Sequence, residues 1–177
     1  QQDMASYAGI MGKGIGETSE KHRRSIGEEK KSKSKMRKEI RRKMAEINVL
    51  NIAEYIVRNR PEKKISKIKL QVATYLIQEA FVKEKGKPLF RESFIKKESF
   101  PECTMLRGIE CAAAGTVALE DVSEFRRNLS AGTREVIDRI MEDLNLKTAL
   151  ELKAIIASDP AWKETEPGRP ITVKRME

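Results

Sequence analysis

Apolar residues recur at helical spacing most clearly in 66–90, SKIKLQVATYLIQEAFVKEKGKPLF. Ile68, Leu70, Val72, Ala73, Tyr75, Leu76, Ile77, Ala80 and Phe81 cover more than one face of a helix there. A helix that is apolar most of the way round packs inside a domain, with other elements on several sides. Ser66 predicts its N-cap, because a serine hydroxyl accepts from backbone N–H groups that the first turn leaves unpaired. Gly86 predicts a left-handed stop, and Pro88 bars resumption of the helix two residues later. This helix is expected to be the centre of the fold.

The flanking pattern predicts further helices. Asn48 can cap a short one carrying Val49, Leu50, Ile52, Ala53, Ile56 and Val57. It should end near Asn59, since Pro61 disfavours a helical Arg60. Beyond 66–90, Phe94, Ile95 and Phe100 can form a short extended segment or hairpin arm that Pro101 ends. The stretch 105–114 reads as a modest helix of small residues, and 115–129 as loop with one helical turn. Thr133 predicts the cap of an amphipathic helix bearing Val136, Ile137, Ile140, Met141 and Leu144, and Thr148 the cap of another bearing Leu150, Leu152, Ile155 and Ile156. Ser158, Asp159 and Pro160 stop that helix, Trp162 follows, and 171–173 can form a short strand.

Upstream, 17–47 reads as one or two charged helices with Gly27 as the break. Met36, Ile40, Met44 and Ile47 form a narrow apolar stripe there, with basic residues around the rest of the wheel. The predicted organisation is a Gly-rich leader and basic helical extension over 1–47, followed by a compact helical domain over 48–177. The fold class is mainly α, around one central buried helix, with room for a small β-hairpin.

Composition agrees with a helical domain built on an aliphatic core: charged residues are 36% and aromatics 5% of the 177 residues. The net charge of +9 is uneven, with 13 Lys/Arg against 7 Asp/Glu in 1–47. Only that quarter invites a nucleic-acid or membrane-surface reading. Cys103, Cys111 and His22 are too few for a four-ligand Cys/His zinc site, so no metal and no cofactor is expected. Two reduced thiols in a cytosolic protein are the expectation. The longest weakly polar run, 111–119, has nine residues against the roughly 20 a membrane span needs. Nor does Met4, with the short Gly-rich run behind it, make a signal peptide, for want of a basic leader.

Gly9, Gly12, Gly14 and Gly16 prompt a check for a phosphate-binding loop around Lys13. Such a loop needs glycine where Tyr7 stands and Ser or Thr where Gly14 stands, so a flexible leader is expected instead. The stretch 30–43 holds nine Lys/Arg and one acid, Glu39. Lys30, Lys31, Lys33, Lys35, Arg37, Lys38, Arg41 and Arg42 are the candidates for holding phosphates, on a helix that could equally dock its stripe on a partner or lie solvated. No aromatic interleaves with them, which disfavours base stacking on single strands.

Taken together, the "NIAEYIV" helix, the "KIKLQVATYLIQEAF" helix ending in "GKPLF", an amphipathic helix and the closing "LELKAIIASDPAWKE" resemble the Panacea domain. This is the SocA/GepA-like antitoxin family of bacterial and phage toxin–antitoxin systems. The matching residues are Lys69, Leu70, Gln71, Tyr75, Gly86, Pro88, Leu89, Phe90, Asp159, Pro160 and Trp162. The likeness covers 48–173 and leaves 1–47 aside as an extension. The chain departs from the family pattern at Phe100-Pro101-Glu102, where Gly-Pro-Val is usual, and at Ala157, where a histidine is usual.

The resemblance implies a non-enzymatic, cytoplasmic module that neutralises a cognate protein toxin by direct contact, or hands it to a protease as an adaptor. Operator DNA and a second copy of the chain are further partners to expect. The contact surface is expected from the GKPLF turn through Pro101, with Lys87, Leu89, Phe90, Phe94, Phe100, Pro101 and Trp162 as candidates; Trp162 also reads as core packing. Catalytic residues are not evident. His22 lies in a charged arm without a neighbouring nucleophile, and the pairs Glu28/Glu29 and Glu120/Asp121 sit among polar residues. A nucleic-acid-binding transcriptional regulator acting through 30–43 stays open as the alternative.

Overall fold

The computed structural model describes residues 3–177, and side chains at 19–41 and 46–177. The chain divides into two compact units, Gln1–Glu46 and Ile47–Glu177. The first unit carries one helix, α1 (Asp3–Ala45). The flexible leader expected over 1–16 is thus helical from Asp3 on. Gly27 lies within α1 and does not break it: one glycine costs a helix only about 1 kcal/mol relative to alanine, and its neighbours are good helix formers. The stripe residue Met44 and the candidate cation Arg42 lie outside the described side chains.

The second unit is mostly helical, with two small antiparallel sheets. Helix α2 (Val49–Asn59) starts at Asn48, whose side chain and that of Asn51 cap each other's backbone N–H groups at 3.1 and 2.9 Å. It stops at Arg60, held extended before Pro61. Strand β1 (Lys64–Ser66) leads directly into α3 (Lys67–Lys85), capped by the Ser66 hydroxyl on the Lys69 N–H. Gly86 ends α3 at φ 72°, a conformation that costs any residue with a Cβ. Helix α3 packs against α2, against the later helices α6 (Ala131–Leu144), α7 (Ala149–Ser158) and α9 (Val173–Met176), and against strands from both sheets.

Strand β2 (Phe94–Lys96) pairs with β3 (Pro101–Glu102) on one side and with β5 (Pro170–Ile171) on the other. The hairpin allowed by Phe94, Ile95 and Phe100 is therefore present, though Pro101 begins its second strand and does not end it. Helix α4 (Thr104–Arg107) is one turn long, so the helix expected over 105–114 does not continue beyond Gly108. The loop expected over 115–129 is more ordered than read. It holds β4 (Thr116–Ala118), paired with β1 through Ile65 opposite Val117, then α5 (Leu119–Val122) and a 3-10 turn.

Helix α6 is capped by Ser130, and Thr133 supplies the N–H that this cap accepts, at 3.2 Å. The Thr148 cap of α7 forms as expected, with Glu151 completing a capping box. Asp159 then does more than stop α7. It caps α8 (Pro160–Glu164), with Pro160 in the first turn, where its missing N–H costs nothing. The strand expected over 171–173 is cut short because Thr172 caps α9.

Candidate functional site

Helix α3 is not apolar on every buried face. Gln71, Thr74, Gln78 and Glu79 are buried along with its aliphatic residues, whereas Ile68 is 47% exposed. Gln71, Tyr75 and Gln78 follow one another at helical spacing, so their polar ends lie on one face. Each reaches a distant part of the chain. The Gln71 amide donates to the Cys103 carbonyl at 3.1 Å and accepts from its N–H at 2.8 Å. Gln78 accepts from the Leu89 N–H at 2.8 Å and donates to the Phe90 carbonyl at 2.7 Å. These amides pair with loop backbone much as a neighbouring strand would, which lets irregular segments be buried without orphaned peptide groups.

The Tyr75 hydroxyl donates to Asp159 Oδ2 at 2.7 Å, and the same oxygen accepts the Trp162 N–H that starts α8. Glu79 stands beside this pair with Oε2 buried, while its Oε1 meets Lys83 Nζ at 3.3 Å. Burial, and then the adjoining Asp159 carboxyl, push the Glu79 carboxyl up to about 7 against the opposing pull of Lys83. A protonated Glu79 can donate to Asp159, which removes the cost of holding two carboxylates together. Tyr75 is held un-ionised by burial and by its bond to Asp159.

The cluster closes on aromatic rings. Phe94 meets Tyr75 edge-on at 5.4 Å and Phe90 at 6.0 Å. Lys96 Nζ lies 4.9 Å from the Trp162 ring centre and donates to the Trp162 carbonyl at 2.8 Å. Leu89, Phe90, Phe94 and Trp162 are all buried. They are core residues and not the partner contacts expected of them, because a side chain already enclosed by its own domain has no face to offer. Lys87 is exposed on the turn beside them.

The remaining two candidates, Phe100 and Pro101, come together in a cleft of about 370 Å³ between the first turn of α3, the β2–β3 connection and α4. Ile68, Leu70, Phe100, Pro101 and Leu106 supply its apolar lining, and Lys67, Lys97, Glu98, Glu102 and Arg107 its charges. Pro101 is itself buried and Phe100 half-buried, so they form the floor. Arg107 is paired with Glu102 at 3.2 Å across the rim. Met105, 44% exposed, stands on the same short helix. Ile68 lies at the surface although its spacing reads as core, and Met105, read only as part of a modest helix, is exposed as well. Both stay partly open to solvent among the described residues.

On α1, Lys30, Lys31, Lys33, Lys35, Arg37, Lys38 and Arg41 are all exposed. Cys103 and Cys111 are free thiols, and burial raises both above the ordinary thiol range, the reverse of what activates a nucleophile. Among the described residues no group of three or more Cys, His, Asp or Glu could hold a metal ion, and no helix is long and apolar enough to cross a membrane. Compared with protein-family models, curated proteins and solved structures, the chain matches none.

Proposed function

We propose that this chain is an antitoxin of Panacea type, a protein-binding module that neutralises a cognate toxin by direct contact. Its 47–177 unit is organised around α3, and the toxin seats in the cleft beside Ile68 and Phe100. The observation that carries this reading is the cleft: an apolar floor ringed by charges, on a chain in which 36% of residues are charged. Apolar anchors inside a polar rim are the anatomy of a specific protein interface.

The residues behind the resemblance support the reading in a second way. Gln71, Tyr75, Leu89, Phe90, Asp159 and Trp162 are joined through buried hydrogen bonds and packing. Their work is to hold loops in place, which suits a binding scaffold. The departures at Phe100 and Glu102 both fall on the cleft, where partner choice would be decided.

The test is co-expression with the protein encoded beside this chain. That neighbour should arrest growth alone, be rescued by the intact chain, and co-purify with it. Ile68→Asp should abolish rescue and weaken the complex at least ~30-fold, the effect of losing a hot-spot residue, while leaving the thermal midpoint nearly unchanged because Ile68 is half exposed. A harmless neighbour that forms no complex sinks the proposal.

A further inference from the structure

We propose that the basic arc of α1 binds duplex nucleic acid without sequence preference, with the helix lying between two walls of phosphate. The proposal is independent of the antitoxin reading, since it rests on the other unit of the chain. Its first support is charge density. Residues 30–41 hold seven Lys/Arg and one acid, all exposed. They span about 17 Å of helix. A duplex presents one phosphate per ~1.7 Å of its axis, so roughly ten phosphates face that length.

The second support is where the cations point. Around the helix they run from Lys33 through Arg37, Lys30, Arg41, Lys38 and Lys31 to Lys35, an arc of about 200° at 100° per residue. Lys33 is bridged to Glu29 at 2.8 Å, but both side chains are 63% exposed, and such surface pairs yield readily to a stronger anion. Lys30, Lys33, Ser34, Arg37, Lys38 and Arg41 also enclose a shallow trough on the face at the middle of that arc. A flat anionic surface needs charge on one face only. A helix seated in a groove meets phosphates on both flanks, and both flanks of this helix are cationic.

The same residues argue against the rival surfaces. In 19–41 the only large apolar side chains are Ile26, Met36 and Ile40, far short of the broad apolar face that inserts into a bilayer. The segment contains no Phe, Tyr or Trp, the rings that form the usual stacking platform for unpaired bases. It has no Asn or Gln in 30–41 for reading adenine edges either, and cations seated against phosphate carry no sequence information, which is why sequence-independent binding is expected.

The full-length chain should retard a mixed-sequence duplex of about 25 base pairs, with a log–log salt slope of about −6 and roughly 10³-fold weaker binding at ~200 mM than at ~50 mM KCl. Replacing Lys30, Lys33, Arg37 and Arg41 together by Gln should reduce the slope to about −3. Gln sustains a helix about as well as Lys or Arg, so the circular dichroism should not change. A control with the same loss of charge elsewhere, Lys85, Lys87, Lys153 and Lys174 to Gln, should leave the slope near that of the parent. An equal loss in the control overturns the proposal, as net charge alone then explains binding. So does absence of a retarded band at low salt, or capture by phosphatidylserine vesicles without retardation of duplex.

Discussion

At the scale of single residues, the most informative group is Glu79. Its carboxyl is raised from 4.5 to about 7, first by burial and then by the neighbouring Asp159. The folded chain therefore holds a proton there that the unfolded chain releases. The associated stability is fully present below the ordinary carboxyl range and is lost as pH rises through about 7. The whole effect is on the order of 3 kcal/mol. Urea midpoints should accordingly fall between pH 5 and pH 8 by an amount that Glu79→Gln largely removes, since an amide can donate to Asp159 without ionising. The variant should be the more stable protein at pH 8 and no more stable at pH 5. A parallel decline in both proteins would mean that Glu79 is not the titrating group.

Between elements, the decisive contacts are side-chain amides standing in for missing strands. Gln78 joins α3 to the backbone of Leu89 and Phe90, in a segment with no regular partner of its own. Gln78→Leu keeps the volume but orphans buried peptide groups at roughly 1–3 kcal/mol each. The urea midpoint should drop by the equivalent of roughly 3 kcal/mol or more with an unchanged slope, and the Leu89 amide should lose its protection from hydrogen exchange. Lys87→Ala, on the exposed side of the same turn, should change stability by less than about 0.5 kcal/mol. Retained protection at Leu89 in Gln78→Leu would refute the clamp.

These clamps mark the limit of what the sequence made legible. Local signals were clear: Asn48, Ser66 and Thr148 cap where expected, and Gly86 stops α3 with the predicted positive φ. Periodicity placed the helices because burial of one face is written in neighbouring residues. The buried roles of Gln71 and Gln78 were not written there. A glutamine on a helix reads as solvated until the loop it serves, 11 to 32 residues away, is known to fold back onto it. The β1–β4 pairing was invisible for the same reason, being short and non-local. At the cleft, Phe100 and Pro101 were legible as candidates, but their neighbour Ile68 was assigned to the core.

For the molecule as a whole, the two units predict separable behaviour. Every buried hydrophobic residue among those described lies in 49–176, so the second unit contains its own core. That core includes Ile52, Tyr75, Ile77, Phe94, Ile137 and Ile156, enclosed by helices and strands from the same unit. In the first unit the described side chains at 19–41 are exposed throughout. A chain of residues 47–177 should consequently be expressed folded and unfold in one cooperative transition within a few degrees of the full-length protein. It should keep whatever neutralising activity the full chain has, and lose retardation of duplex entirely. Because 13 of the 36 Lys/Arg lie before Asn48, against 7 acids, its net charge also falls from +9 to +3. Weak duplex binding that survived this truncation would have to come from 47–177. Loss of cooperative unfolding would show instead that the first unit stabilises the second, and that the core just described is insufficient alone.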